Sequence, residues 1–254
     1  MSNLLLFSKA IDDAALVVTS AATGYPKENM QDRRKVTSWK STSTANQNID
    51  MDFGSAFTAD HLFLYHNLPT GTRVEPFYAS QSNYSDEASA VDGFYATIGT
   101  GNTPPNLYMF FGPEAYYSAR YWRIKLTNLP SVAEIYLVFL GMRLEITIRH
   151  DFGHVQEKKY KGHILKESFG GNRFSKRYYG GRKIFQYRWE FMDLTNQANL
   201  QSLIENIKGA ALPFFMRTVN GTYEYVRLMN DEIGAAEVAH QLFNTDVLVL
   251  EEEF

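Results

Sequence analysis

The chain has 254 residues, no cysteine, 25 Lys and Arg against 28 Asp and Glu, and 15% aromatic residues, among which Tyr and Phe predominate. That length buries enough apolar surface for one large β domain or two ordinary ones, and two is the expectation. A net charge of −3 gives no footing for nucleic acid, and zero cysteine excludes a disulfide scaffold and any Cys-based zinc site.

The opening, MSNLLLFSKAIDD, has an apolar run of only Leu4 to Phe7 and no basic leader, which argues against a secretory signal. No apolar stretch reaches membrane-spanning length. Tyr25-Pro26 sets an extended lead-in, Asn29 to Asp32 suits a turn, and Trp39 reads as a core anchor before a polar Ser/Thr loop. Ile49, Met51 and Phe53 then alternate with Asp50 and Asp52, and Gly54 is expected to end that strand. His61 to Leu68 repeats the pattern, with Leu62, Leu64 and His66 opposed to Phe63, Tyr65 and Asn67, and Tyr121 to Leu126 alternates again. Ile135 to Met142 reads as a buried strand running into the half-buried Leu144, Ile146 and Ile148. These cues predict a mainly β chain, divided into units of 1–140 and 141–254 with no Pro-, Gly- or Ser-rich spacer between them.

The second unit is organised around Gly170 to Asp193. Gly170-Gly171 and Gly180-Gly181 bracket NRFSKRYY, which predicts a long hairpin or arm projecting from a sheet. Beyond it Phe185, Tyr187, Trp189 and Phe191 fall on one strand face. From Lys158 to Arg188 there are ten basic residues and one acid, Glu167; from Trp189 onward there are three basic residues and eleven acids. Either both signs are neutralised within one fold, or they are complementary between neighbouring copies, as a head-to-tail ring requires. Thr195 to Lys208 carries Leu200, Leu203, Ile204 and Ile207 at helical spacing, so a helix over about 196–208 is expected, capped by Thr195 or Asn196 and ended by Gly209. Ala211 to Val219 follows as a strand, Asn220-Gly221 predicts a two-residue type I′ hairpin into Thr222 to Leu228, and Asp246 to Glu251 forms a last strand.

Few residues suggest chemistry. His150 and His154 are four apart, but they follow a strand pattern and flank Gly153, so they do not share a helical face for zinc. Asp32, Asp50 and Asp52 are candidate hard-oxygen ligands for calcium, although paired strand carboxylates are more often a solvated face. The loop Gly99 to Pro105 offers phosphate no helix amino terminus, because Pro104-Pro105 follow. With no G-x-S-x-G elbow and no ordered Ser, His and Asp, the expectation is a protein without enzymatic activity. Arg173, Phe174, Lys176, Arg177, Tyr178 and Tyr179 combine the residues that anchor protein interfaces, and assembly is favoured over nucleic acid for them. Tyr84, Tyr95, Tyr116 and Tyr117 are candidate platforms for stacking a sugar.

Two resemblances attach to these residues. The order Tyr25-Pro26, Asn29, Asp32, Trp39-Lys40-Ser41, Ile49-Asp50-x-Asp52-x-Gly54, His66-Asn67-Leu68 and Arg120-Tyr121-Trp122-Arg123-Ile124 resembles the galactose-binding, discoidin-like jelly roll. That resemblance implies an eight-stranded sandwich whose end loops bind sugars, lipids or proteins, often beside a structural calcium. The chain lacks the cysteine pair of extracellular members, which points to a bacterial or viral version. Gly170-Gly171, Arg188-Trp189-Glu190-Phe191, the helix, and Leu212-Pro213-Phe214-Phe215-Met216 occur in an order that resembles distal-tail and baseplate proteins of tailed bacteriophages. This second resemblance implies a structural virion protein, a homo-oligomeric ring of six copies contacting other tail or baseplate proteins, without membrane. The alternative is a carbohydrate-binding module for host or surface glycans.

Overall fold

The structure, a computed structural model, describes residues 4–7, 11–91, 96–99, 106–111, 116–146, 155–159, 163–167, 173–177, 182–218, 221–230 and 234–253, those between 155 and 177 by their backbone pairing only. The chain divides into two compact units, Phe7–Arg143 and Met1–Leu6 with Leu144–Glu253. The first residues belong with the carboxy-terminal unit: Leu4, Leu5 and Leu6 pair antiparallel with Ile146, Glu145 and Leu144.

The first unit is a β-sandwich. One sheet runs β2 (Ala15–Val18), β4 (Gln47–Ala59), β10 (Tyr117–Thr127), β6 (Arg73–Ala79) and β7 (Ala88–Ser89), with β8 (Ala96–Thr97) also on β6. The other runs β3 (Trp39–Lys40), β11 (Glu134–Gly141), β5 (His61–His66) and β9 (Asn106–Phe110). Alternation builds the core: Ile49, Met51, Trp122, Ile124 and Leu126 from the first sheet join Trp39, Leu62, Leu64, Ile135 and Val138 from the second in one buried cluster. Trp39 is fully buried and its Nε1 donates to the Ser20 carbonyl. In β5 the opposite face is covered as well, because Phe63 is buried against Phe7 and Phe139.

The second unit is built on a seven-stranded sheet ordered β12 (Leu144–Ile146), β1 (Leu4–Phe7), β18 (Phe214–Arg217), β19 (Tyr223–Leu228), β22 (Leu248–Glu252), β16 (Arg182–Tyr187) and β13 (Val155–Lys159). Beside it lie a two-stranded ribbon, β14 (His163–Glu167) with β15 (Arg173–Arg177), and a small sheet ordered β17 (Met192–Asp193), β21 (Leu242–Thr245) and β20 (Ala235–Ala239). The helix α1 (Leu194–Asn206) supplies Leu200 and Leu203 to the core that also contains Phe185, Tyr187 and Trp189.

Four local expectations are corrected. Gly54 does not end β4; at φ +73° it turns a bulge through which the strand continues to Ala59. Phe191 leaves the pattern of Phe185, Tyr187 and Trp189: its backbone is left-handed at φ +57°, its ring is 57% exposed, and Met192 is buried instead. The helix cap is neither Thr195 nor Asn196 but Asp193, whose side chain accepts from the Asn196 N–H at 2.8 Å. The β18–β19 hairpin pairs Thr218 with Thr222 across a three-residue connection, with Gly221 left-handed at φ +80°, rather than a two-residue turn. Asp193→Ala is expected to cost about 1 kcal/mol of unfolding free energy in urea titrations, the ordinary worth of an acidic cap.

Candidate functional site

The bulge in β4 shapes one end of the sandwich. β10 pairs Ala119 with Phe57 and Tyr121 with Asp52, so Arg120 alone faces residues 53–56 of β4. Arg120 fills that gap with a bidentate fork, Nε and Nη2 donating to the two carboxylate oxygens of Asp52 at 2.7 and 2.9 Å. The Gly54 N–H donates to the same carboxylate at 2.7 Å. Arg120, first, and the Gly54 amide hold the Asp52 carboxyl below the usual carboxylate range. On the inner side, Trp122 Nε1 donates to the carbonyls of Phe57 at 3.3 Å and Ala119 at 3.1 Å, tying the two edges of the bulge together.

Aromatic rings gather around this tryptophan. Tyr78 and Tyr117 stack at 4.5 Å, Phe111 lies stacked on Trp122 at 6.1 Å, and Phe53 stacks on Phe57 at 3.9 Å. Tyr78 and Tyr117 are half-buried, while Tyr116 is 66% exposed. Next along β10, the Ser118 hydroxyl lies 3.3 Å from that of Thr58, and both belong to the exposed side of the strand pair. Alternation along β10 puts Ser118 on the side opposite Tyr117, so the outer face carries the two hydroxyls and the arginine–carboxylate fork, while Tyr78 and Tyr117 pack on the core side and Tyr116 lies exposed just before the strand. An exposed ring and outward polar groups in one short stretch suit a ligand with both C–H faces and hydroxyl groups.

The other sequence-derived tyrosines are placed differently. Tyr84 is only 8% exposed; its hydroxyl donates to the Trp122 carbonyl at 2.8 Å and its ring lies 3.8 Å beneath the Arg123 guanidinium. Burial pushes its phenol up, and it serves as a strut rather than a platform. Tyr95 lies outside the described residues.

The calcium candidates are occupied by other partners. Arg123 forks onto Asp50 at 2.6 and 2.8 Å and also reaches Glu87 at 3.1 Å, and Lys125 pairs with Glu87. Asp32 accepts from the Arg34 N–H at 2.9 Å and the Thr37 hydroxyl at 2.6 Å, which closes a turn. The forks follow from register: Arg123 sits opposite Asp50 on adjacent strands, so cross-strand attraction claims the acids. Among the described residues no cluster of three His, Asp or Glu side chains could hold a metal. His150 and His154 lie outside the described residues.

A second histidine feature escaped the sequence reading. His61 Nδ1 lies 2.8 Å from Asp60 Oδ1, the geometry of a base and its orienting acid. Its ring is fully buried against Phe7, whose centroid is 5.0 Å away, so no substrate reaches it. Burial holds its pKa down against the opposing pull of Asp60. The pair is a structural one, tied in by the Arg143 N–H donating to Asp60 at 3.0 Å.

In the second unit, Arg173, Phe174, Lys176 and Arg177 lie on β15, paired with Glu167, Lys166, Ile164 and His163 respectively. Tyr178 and Tyr179 lie outside the described residues. β13 pairs with β16 from Val155↔Gln186 to Lys159↔Arg182, and β14 pairs with β15 from His163↔Arg177 to Glu167↔Arg173. The two pairings are nested as in a long hairpin: β13 and β16 lie in the sheet, and β14 and β15, between them in sequence, pair with each other. Part of the charge inversion is neutralised within the chain: Arg182 reaches Glu251 at 3.0 Å, Lys183 reaches Glu224 at 2.6 Å and Arg227 reaches Glu253 at 3.4 Å.

No family model matches the sequence, and no curated protein matches it. Among solved structures, chitosan-binding module 1 from a chitosanase/glucanase of Paenibacillus sp. IK-5 is similar over 52% of this chain and 97% of its own, at 15% identity and a TM-score of 0.43. The family 32 carbohydrate-binding module from C. perfringens NanJ, in complex with galactose, is similar over 54% of this chain and 98% of its own, at 14% identity and a TM-score of 0.43. The family 32 module of AlyQ, in complex with 4,5-unsaturated mannuronic acid, is similar over 50% and 92%, at 20% identity and a TM-score of 0.40. These structural neighbours are carbohydrate-binding modules at low identity; what this chain binds is read from its own residues.

Proposed function

We propose that the chain is a non-enzymatic binding protein whose sandwich docks a glycan at the β4–β10 bulge. The observation that carries this reading is Tyr116, an exposed ring in the residue just before β10, the strand that presents Ser118 and the Arg120–Asp52 fork on its outer face. A pyranose laid on Tyr116 would bury its C–H face while its hydroxyls meet the serine, threonine and fork. Tyr116→Ala removes an exposed ring without opening the core. On glycan arrays, followed by calorimetry on the sugar found, this change is expected to weaken binding about tenfold with unchanged melting. A wild-type chain that binds no glycan on the array would sink the reading.

A second reading, motivated by the sequence order of the second unit, is a structural subunit of a tailed-bacteriophage tail tip or baseplate, assembling as a ring and joining the tube to fibres or receptor-binding parts, for which the nested strand pairs would serve as an assembly arm. The two readings are compatible, since a glycan-binding sandwich carried on an assembly unit would present the ring's surface to a host.

A further inference from the structure

We infer that copies of this chain associate through the hairpin tip of one and the outer edge of β20 in the next. The inference rests on the assembly reading above and is independent of glycan binding. Strand edges motivate it. Among the described residues β14 and β15 pair only with each other, and β20 ends its sheet with β21 as its single neighbour. All five β20 residues, Ala235, Ala236, Glu237, Val238 and Ala239, are exposed, and Val238 is 47% exposed. Of the devices by which proteins blunt a free edge, β20 has neither lysine nor proline, although its register with β21 shifts between Glu237 and Ala239. An extended partner adds to such an edge through main-chain hydrogen bonds.

Charge selects the partner. From Leu228 to the carboxyl end the sequence has no lysine or arginine and seven acids, including Asp231, Glu232, Glu237 and Asp246 around β20. Between Val155 and Arg177 it has seven basic residues and two acids, Glu157 and Glu167. Among the described residues, the internal pairs of this unit use Arg182, Lys183, Arg188 and Arg227, which lie outside that basic segment. Two β20 edges laid together would bring like charges near each other, whereas the hairpin tip brings the opposite sign. Tip and edge are different surfaces, so the contact is heterologous and propagates from copy to copy.

The test uses the full chain in sedimentation velocity and light scattering. Wild-type protein is expected to self-associate, less so as salt rises. A tip variant, Arg173→Glu with Lys176→Glu and Arg177→Glu, and an edge variant, Glu237→Lys with Val238→Lys, should each lose association at least about tenfold. The edge change falls on exposed residues, and unchanged circular dichroism and melting would verify folding of both variants. Mixing the two variants is the deciding measurement. The edge variant retains an intact tip and the tip variant an intact edge, so a 1:1 heterodimer should form. Association of the tip variant at wild-type strength, or no heterodimer on mixing, overturns this contact while leaving the assembly reading in place. A wild-type chain that stays monomeric at every concentration overturns both.

Discussion

Replacing Trp122 with alanine should cost about 3–5 kcal/mol of unfolding free energy, the range for deleting a buried tryptophan. The residue is 1% exposed and does two jobs. Its ring lies between Phe111 at 6.1 Å and Tyr78 at 5.8 Å, inside the sandwich core. Its N–H joins the Phe57 and Ala119 carbonyls, which face each other across the bulge. Trp122→Phe separates these roles, since it keeps much of the packing and loses the donor. That variant should cost less than the alanine variant and still weaken the glycan binding proposed above, because Ser118 and Arg120 sit on a bulge that is no longer clamped. Denaturant titration with calorimetry on both variants checks the pair. Equal glycan binding by Trp122→Phe and wild type would mean that the clamp does not organise the site.

Acidification supplies the second large effect. His66 is 1% exposed, its Nδ1 accepts the Leu68 N–H at 3.0 Å, and burial holds its pKa down at about 4 against an ordinary 6.5. The neutral ring is the folded form, so the unfolded chain takes up the proton first. Its contribution is therefore fully present above pH 6.5, is lost as pH falls from 6.5 to about 4, and changes no further below that. The loss across that window is about 3 kcal/mol from this group. His61, also held down by burial, acts in the same direction. His66→Asn retains an acceptor for Leu68 and removes the titration. Urea titrations between pH 7 and 4 should show a slope in the wild type that is shallower in the variant. Parallel slopes would place the acid sensitivity elsewhere.

Periodicity in the sequence made much of the framework legible. Ile49 and Met51, Trp122 with Ile124 and Leu126, and Phe185 with Tyr187 and Trp189 are all buried, because a strand with one covered face leaves a period-two record in its own residues. The helix was legible for the same reason at a different period. Features that depend on a distant partner left no such record. Phe191 fits the alternation, yet the chain turns there and the Asn244 side chain accepts its N–H at 3.1 Å. Asp50 and Asp52 look alike beside calcium or arginine until register is known, although the basic Arg120, Arg123 and Lys125 of β10 were a cue to the forks. Tyr84 and Tyr116 were indistinguishable as candidate rings; packing under Arg123 buries one, and the other remains exposed.

The pairing of Leu4 to Leu6 with Leu144 to Ile146 has a consequence for how the molecule is made and altered. Two neighbouring strands of one sheet are joined by an entire sandwich instead of a turn, so that sandwich is an insertion whose two ends leave the sheet side by side. On the ribosome the first strand emerges early and has to wait, unpaired, until the inserted unit has been synthesised. Because the insertion folds on its own core, its closure cost to the sheet varies little with its length. One sandwich can therefore be exchanged for another at that site while the sheet and the helix keep their register.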